Sequence, residues 1–248
     1  MAMRSVVSGP EFDGPVTEMV RIGLRGEIGG GDLEGEGEGE AEEAEEAARI
    51  WRETLDTIAA QKGCTNSYYG GTLEDDGVLI WCIDWTSLAP HKAFMDSPAY
   101  PAFLENLQPI MGSVEIIHAS KLDVVDAIAK GSAGQKGGVM EVATFFNVED
   151  VFLEGVENFK TAIRKLHSEK KIAGFLGVID SGEVIEKIAK NKEAMEEEKG
   201  RALIIMLGWE SKEAHMAFRE TKEFADSIGF LRKGTSGADM FHVAFKNA

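Results

Sequence analysis

Two histidines raise the question of chemistry. His91 stands in LIWCIDWTSLAPHKAF (Leu79 to Phe94), and His215 stands in LIIMLGWESKEAHMAF (Leu203 to Phe218), 124 positions further on. Leu79, Ile80, Trp85, Ser87, His91, Ala93 and Phe94 recur as Leu203, Ile204, Trp209, Ser211, His215, Ala217 and Phe218, and the same register matches His118 to His242. A histidine four residues after a serine that can cap a helix sits at a helix N-terminus. There it can act as a general acid or base at the mouth of a pocket, and the helix dipole favours its neutral form. The bland alternative is a bond from each imidazole to a backbone carbonyl at the strand-to-helix corner. Recurrence favours that alternative, because a duplicated joint needs the same residue twice. His118 and His242 lie among apolar neighbours on a strand. They can face a substrate or pair across an interface between the halves, and duplication favours the interface.

The halves differ in their aromatic residues. Trp81, Tyr68, Tyr69 and Tyr100 answer to Ile205, Phe175, Leu176 and Phe224. The first half therefore holds the more polar set and is the better place for a reaction. The catalytic candidates are His91, Tyr100, Tyr69 and Asp84. Trp81, Trp85, Tyr68 and His118 are substrate-binding candidates, with Arg21 or Arg25 as an anion anchor. The second-half counterparts are Trp209, His215 and His242. Tryptophans in such strands more often build a core than a ligand platform.

The repeat also says what must position these residues. Val16 to Arg25 alternates as a strand. A helix with Trp51, Leu55, Ile58 and Ala59 on one stripe follows, with Gly63 suited to its C-terminal end. Cys64 to Thr72 and Val78 to Thr86 read as strands, the latter apolar on both faces. Ser87 is placed to cap a helix that breaks near Ser97-Pro98 and resumes to about Ile110, and Ser113 to Leu122 closes the half. The second half repeats the order: strand Val139 to Val148, a helix with Phe152, Val156, Phe159, Ile163 and Leu166 in near-heptad spacing, strand Ile172 to Ile179, a turn at Ser181-Gly182, strand Ala202 to Trp209, helix Ser211 to about Leu231, and strand Ala238 to Phe245. Each half is β-α-β-β-α-β, the ferredoxin-like order. The fold class is α+β: two such repeats packed sheet to sheet as a pseudo-two-fold α/β barrel with the helices outside. The expected boundaries are a lead over 1–15, a first repeat over 16–126 with an acidic Gly/Glu loop at 26–46, a linker over 127–138, and a second repeat over 139–248 with a charged excursion, read as a short exposed helix, at 183–200.

Composition narrows the function classes. The chain has 248 residues, 44% of them hydrophobic, and a net charge of −17. That charge argues against nucleic acid or an anionic membrane as partner. Ten carboxylates fall between Glu27 and Glu46 with no Lys or Arg among them. Cys64 and Cys82 are the only cysteines and imply neither a disulfide framework nor a thiolate zinc site. Gly26-Glu27-Ile28-Gly29-Gly30-Gly31 lacks the lysine and spacing of a phosphate loop. No HExxH or compact His/carboxylate ligand set is readable, so no metal and no other cofactor is expected. The N-terminus lacks an export signal, which points to the cytoplasm.

With this repeat, and with Trp, Ser, His and Phe at the end of each third strand, the chain resembles the dimeric α/β-barrel superfamily in a fused tandem form. The resemblance covers nearly everything beyond the first fifteen residues. It implies a small apolar or aromatic ligand and a monomer that is itself a pseudo-dimer, with a further homodimer open. The superfamily includes cofactor-free monooxygenases, of the antibiotic-biosynthesis type, and stress-responsive barrel cyclases. The cyclases carry a His-Pro-Ala-His stretch where this chain has Ser97-Pro98-Ala99-Tyr100 and Thr221-Lys222-Glu223-Phe224, so their histidines are missing and Tyr100 is the remaining hydroxyl donor. The monooxygenase branch places Asn, Trp and His around one cavity, which makes Asn66, Trp85 and His91 candidates by type. Two functions follow from this. One is an enzyme that acts by His/Tyr acid–base chemistry on a polyketide- or terpenoid-like substrate, by cyclisation, dehydration, decarboxylation or cofactor-free oxidation. The other is a non-catalytic module that binds a hydrophobic ligand or a protein.

Overall fold

The computed structural model describes residues 13–25, 41–120, 124–134, 137–191 and 193–248. Most of the lead (1–12), the glycine stretch screened as a phosphate loop and most of the acidic loop (26–40) lie outside the described residues. The chain divides into two compact units, one ending at His118 and completed by Phe245–Ala248, the other spanning Ala119–Ala244.

The first unit runs β1 (Val16–Leu24), α1 (Ala41–Ala59), β2 (Cys64–Gly71), β3 (Val78–Trp85), α2 (Leu88–Met95), α3 (Tyr100–Leu107) and β4 (Met111–Ser120, of which the last two residues fall in the second unit). Its strands are ordered β4-β1-β3-β2. This is the split β-α-β arrangement, in which β3 inserts between β1 and β2 and pairs antiparallel with both. Every residue of β3 except Asp84 is buried, as expected of a central strand covered on both faces. On α1, Ala47, Trp51, Thr54 and Ile58 are buried at helical spacing. Thr54 can be buried there because its hydroxyl donates to the Ile50 carbonyl at 2.8 Å.

The second unit repeats the plan. It runs α4 (Val124–Gly131), β5 (Val139–Phe146), α5 (Asp150–Ser168), β6 (Phe175–Val184), β7 (Ala202–Trp209), α6 (Lys212–Arg219), α7 (Lys222–Ser227) and β8 (Gly237–Val243). Its strand order β8-β5-β7-β6 matches the first unit strand for strand. All eight residues of β7 are buried. On α5, Phe152, Val156, Phe159 and Ile163 form the buried stripe. No helix among the described residues is long and apolar enough to cross a membrane.

The structure corrects several expectations. The stretch 127–138 is not an open linker, because α4 occupies its first part with Ala127 and Ile128 buried. Its last residue, Gly131, lies so close to β5 and β7 that an added Cβ would meet Met140 Sδ at 2.2 Å and Gly208 Cα at 3.2 Å. Ser181-Gly182 is not a turn: β6 runs through it, pairing Ser181 with Ile205 and Gly182 with Ile204. The irregularity falls earlier, between Phe175 and Ile179, where Gly177 adopts φ 78. Among the described residues, the excursion after Val184 forms no α-helix. It is held by an Ile188–Gly200 bridge and contains one 3₁₀ turn at Glu196–Glu198. The helix expected from Ser211 to Leu231 breaks into α6, α7 and a 3₁₀ turn at Ile228–Leu231. The last strand ends at Val243, and Lys246–Asn247 form a short β9 that pairs with Tyr69 and Tyr68 of the first unit. Ser87 occupies the N-cap position of α2 but its side chain makes no cap bond, whereas Ser211 caps α6 by accepting from the Ala214 N–H.

Candidate active site

Glu18 on β1 pairs across the sheet with Ile83, and Val16 with Trp85. Residues directly opposite in a sheet share a face, so Glu18 lies on the same face as Trp81, Ile83 and Trp85. The Trp85 indole N–H donates to Glu18 Oε2 at 2.9 Å. His91, one turn into α2, brings Nε2 to 3.4 Å from the same oxygen and stacks on Trp85 with ring centroids 5.0 Å apart and planes at 17°. Its other nitrogen, Nδ1, lies 2.9 Å from Nε2 of His118 on β4. All four side chains are buried.

This geometry assigns tautomers. In its ionised form a carboxylate only accepts, so His91 turns Nε2–H toward Glu18. Nδ1 is then the acceptor for the Nε2–H of His118. Burial, and secondarily the neighbouring His118, depress the His91 pKa to about 3, so His91 is neutral at neutral pH. The neutrality expected at a helix N-terminus is present, but burial is its leading cause.

A cavity of about 30 Å³ opens beside this group, lined by Glu18, His91 and Tyr100 among apolar side chains that include Trp81, Phe94 and Phe103. Burial, with the Glu18 charge adding to it, raises the Tyr100 pKa. Its hydroxyl therefore stays protonated and can donate. Phe94, Tyr100 and Phe103 pack on one another, Phe94 edge-on to the other two with centroids 5.3 Å apart. The volume holds one or two water-sized groups, so a larger ligand must displace part of this aromatic wall.

Among the sequence candidates, the structure gathers His91, Tyr100 and Trp81 around the cavity, with Trp85 and His118 against His91. His118 pairs with His91 inside its own unit, and His242 with His215 inside the other. The expected pairing across an interface, and the bond from each imidazole to a backbone carbonyl, are thus replaced by an imidazole–imidazole contact. Four other candidates lie elsewhere. Arg21, Asn66, Tyr68 and Asp84 stand opposite Ile80, Asp84, Cys82 and Thr17 in the strand register, on the sheet face away from His91. The parity of the strands excludes them from the cavity. Asp84 accepts a hydrogen bond from Thr17 Oγ1 there. Tyr69 is on the correct face but packs edge-on against Trp51, with centroids 5.4 Å apart. Arg25 donates from Nε to the Met111 carbonyl at 2.9 Å. Cys64 and Cys82 are free thiols whose pKa values burial raises, that of Cys64 to about 11, so neither is a ready nucleophile at neutral pH.

The second unit builds the same group. Trp209 Nε1 donates to Glu141 Oε2 at 3.1 Å, His215 Nε2 lies 3.3 Å from that oxygen, and His215 Nδ1 is 2.8 Å from His242 Nε2. Trp209 and His215 stack at 4.9 Å and 23°. What differs is the surroundings. Where the first unit has Trp81, the second has Ile205, in a packed apolar cluster with Phe218 and Leu231. Phe224, which stands for Tyr100, packs against that cluster.

Neither glutamate was singled out in the sequence, yet the signal is there: Val16-Thr17-Glu18 and Val139-Met140-Glu141 place a lone acid third in the first strand of each unit. Burial raises the Glu141 pKa to about 7 against the opposing pull of the Trp209 N–H and the Arg219 charge.

Glu18, His91 and His118 bring ligand atoms within 4.8 Å of one another, so a metal must be considered. An imidazole offers an ion one in-plane lone pair. Glu18 and His118 meet His91 on different ring nitrogens, so the three do not converge on one ion in this arrangement. The group is a chain of hydrogen-bonding partners.

The family described as "Antibiotic biosynthesis monooxygenase" matches residues 37–106, within the first unit. A "putative monooxygenase" structure from Lactobacillus acidophilus NCFM is similar over 95% of this chain and 98% of its own, at 12% identity and TM-score 0.50. One from Fusobacterium nucleatum is similar over 95% of each chain, at 12% identity and TM-score 0.51. An anthrone oxidase-like protein is similar over 95% of this chain and 94% of its own, at 15% identity and TM-score 0.58. At these identities the likeness is one of fold. No curated protein matches the sequence. The duplicated strand order and the full-length structural likenesses give the fold, α+β with two ferredoxin-like repeats, and residues 37–106 of the first unit match the antibiotic biosynthesis monooxygenase family.

Proposed function

We propose that the first unit is a small-molecule enzyme and the second its structural twin. The first unit takes a small apolar or aromatic compound, of polyketide or terpenoid type, into the cavity and handles its protons with His91 and Tyr100 as the polar contacts. No metal and no nucleotide takes part. The observation that carries this reading is the difference between the units. Glu18, His91 and Tyr100 share an otherwise apolar cavity, whereas Ile205 and Phe224 fill the matching place in a packed core. A few polar groups converging in an apolar recess are the usual form of a small-molecule site. The matched family, and the names of the structurally similar proteins, favour oxidation over cyclisation, dehydration or decarboxylation.

A second reading rests on the repeated glutamate, tryptophan and histidine pair. Because both units carry it, that group can be architecture throughout, leaving a module that binds an apolar ligand without turnover. The first test is binding of 1-naphthol, read by quenching of tryptophan fluorescence and by thermal stabilisation. The expected result is saturable binding that Trp81→Ala and Tyr100→Phe weaken. A chain that gives no saturable quenching and no stabilisation defeats both readings. Binding that survives both substitutions unchanged removes the ligand from this cavity.

A further inference from the structure

We propose that Ser67 is a positioning residue that sets the ligand preference of the first unit, by fixing the ring of Trp81 at the cavity wall. This rests on the reading of the cavity as a small-molecule site and names what sets its selectivity. Ser67 on β2 stands opposite Ile83, and Tyr69 opposite Trp81, so the Ser67 side chain lies on the cavity face of the sheet. From there its hydroxyl accepts the Trp81 indole N–H at 2.7 Å. Trp81 is 2% exposed and lines the cavity. A buried indole N–H needs an acceptor. An indole also turns about χ2 between two broad wells, and the turned ring would carry its N–H away from Ser67 and present its other edge to the recess. The bond thus selects one ring orientation. Trp51 of α1 packs edge-on against that ring, with centroids 5.2 Å apart and planes at 69°. The backbone of Ser67 is held as well: its carbonyl accepts from the Ala248 N–H at 3.1 Å, beside the pairing of β2 with β9.

The second unit ties the hydroxyl to the indole. At the same two strand positions it has Ile179, opposite Leu207, and Ile205, opposite Ser181. Both isoleucines are buried in its packed apolar cluster. Serine and tryptophan therefore occur together beside the cavity of the first unit and are replaced together in the core of the second. A serine serving only its own strand would not need to change with the tryptophan. The opposite wall of the cavity shows why ring orientation matters. Tyr100 and Phe103 on α3 are only partly buried, so they are the side that yields to a ligand. Trp81 stands on the central strand β3 with its ring held by Ser67 and Trp51. A fixed flat face favours a planar ring over a puckered one, and it spares the cost of ordering that side chain on binding.

The test uses the full chain with 1-naphthol and its saturated analogue 1-decalol, the second measured by displacement of the first. Ser67→Ala is expected to move the Trp81 indole N–H resonance upfield, with Trp81→Phe used to assign it. It should also lower the preference for 1-naphthol over 1-decalol about fivefold. Ser67→Thr keeps the hydroxyl on a side chain suited to a strand and should retain most of that preference, whereas Ser67→Val should follow Ser67→Ala. Thr and Val differ only in hydroxyl against methyl, so this pair gives the reading if Ser67→Ala does not fold. Ser181→Ala, in the second unit, should leave both readouts at the parent value. The assignment is overturned if the parent shows no preference between the two probes, if removal of the hydroxyl leaves the resonance or the preference unchanged, if Ser67→Thr and Ser67→Val behave alike, or if Ser181→Ala has the same effect. A parent chain that binds 1-naphthol but fails these comparisons loses only the Ser67 assignment. One that does not bind 1-naphthol loses the cavity reading as well.

Discussion

Trp209 donates its indole N–H to Glu141 at 3.1 Å, and Trp85 donates to Glu18 at 2.9 Å, in two units whose sequences differ at most other positions around these groups. A tryptophan at the end of the third strand thus holds an acid near the start of the first strand in both. The acid in turn meets the histidine that stacks on the same tryptophan. This closed loop of contacts explains why Trp, His and Glu were kept together while the aromatic residues nearby diverged.

Glu141 carries a pH signature with a definite sign. Its folded pKa of about 7 lies above the ordinary carboxyl value of 4.5. Between those values the folded chain binds the proton that the unfolded chain has released, so stability from this group is present below pH 4.5 and is lost as pH rises through 7. The loss is on the order of 3 kcal/mol. Glu141→Gln cannot ionise and should escape it. Urea midpoints of the two chains, compared at pH 5 and pH 8, should show the variant gaining relative stability at the higher pH. A difference that stays flat across that window contradicts the buried position of this carboxyl.

His91 gives the opposite sign. Its folded pKa of about 3 lies below the usual histidine value of 6.5, so the unfolded chain binds the proton first as the solution is acidified. The neutral imidazole therefore contributes stability that falls as pH drops from 6.5 toward 3. Ring resonances of His91 should show no titration down to about pH 4. A midpoint near 6 would mean that the ring is open to water.

The equivalent serines at the two third-strand ends should behave differently. Ser211 accepts from the Ala214 N–H at 3.2 Å, whereas Ser87 makes no such bond. Ser211→Ala should cost about 1 kcal/mol, and Ser87→Ala only a few tenths, read as shifts in urea midpoint. Equal losses would show that both caps form in solution.

Much of the fold was legible because both of its signals are local and periodic. Apolar β3 and β7 and the heptad-like stripe of α5 declare themselves in single stretches, and the repeat confirms the order. The site was less legible because it depends on strand parity and on a residue from a distant strand. Asp84 and Arg21 have suitable chemistry, but the register turns them to the other face. Glu18 looks like an ordinary surface acid in VTEMVRIGL until Trp85 and His91 are brought to it. The helix α4 went unread because Gly131 and its neighbours resemble a linker, while its close approach to Gly208 is a tertiary fact.

Phe103 tests whether the small cavity is the working site, because it limits the volume without supplying a polar group. Its ring stacks on Tyr100 at 5.9 Å and meets Phe94 edge-on at 5.3 Å. Phe103→Ala removes one wall of the recess while leaving Glu18, His91 and Tyr100 intact. Truncating a fully buried Phe costs about 3–5 kcal/mol. Phe103 is half-buried, so a loss of about 2 kcal/mol is expected on the same scale. The vacated space is apolar and aromatic-sized, so 1-naphthol should bind about tenfold more tightly, measured by titration of tryptophan fluorescence. Asp84→Asn, on the opposite face, should leave that affinity unchanged. Weaker binding to Phe103→Ala, or a comparable change with Asp84→Asn, would place the ligand outside the recess beside Glu18.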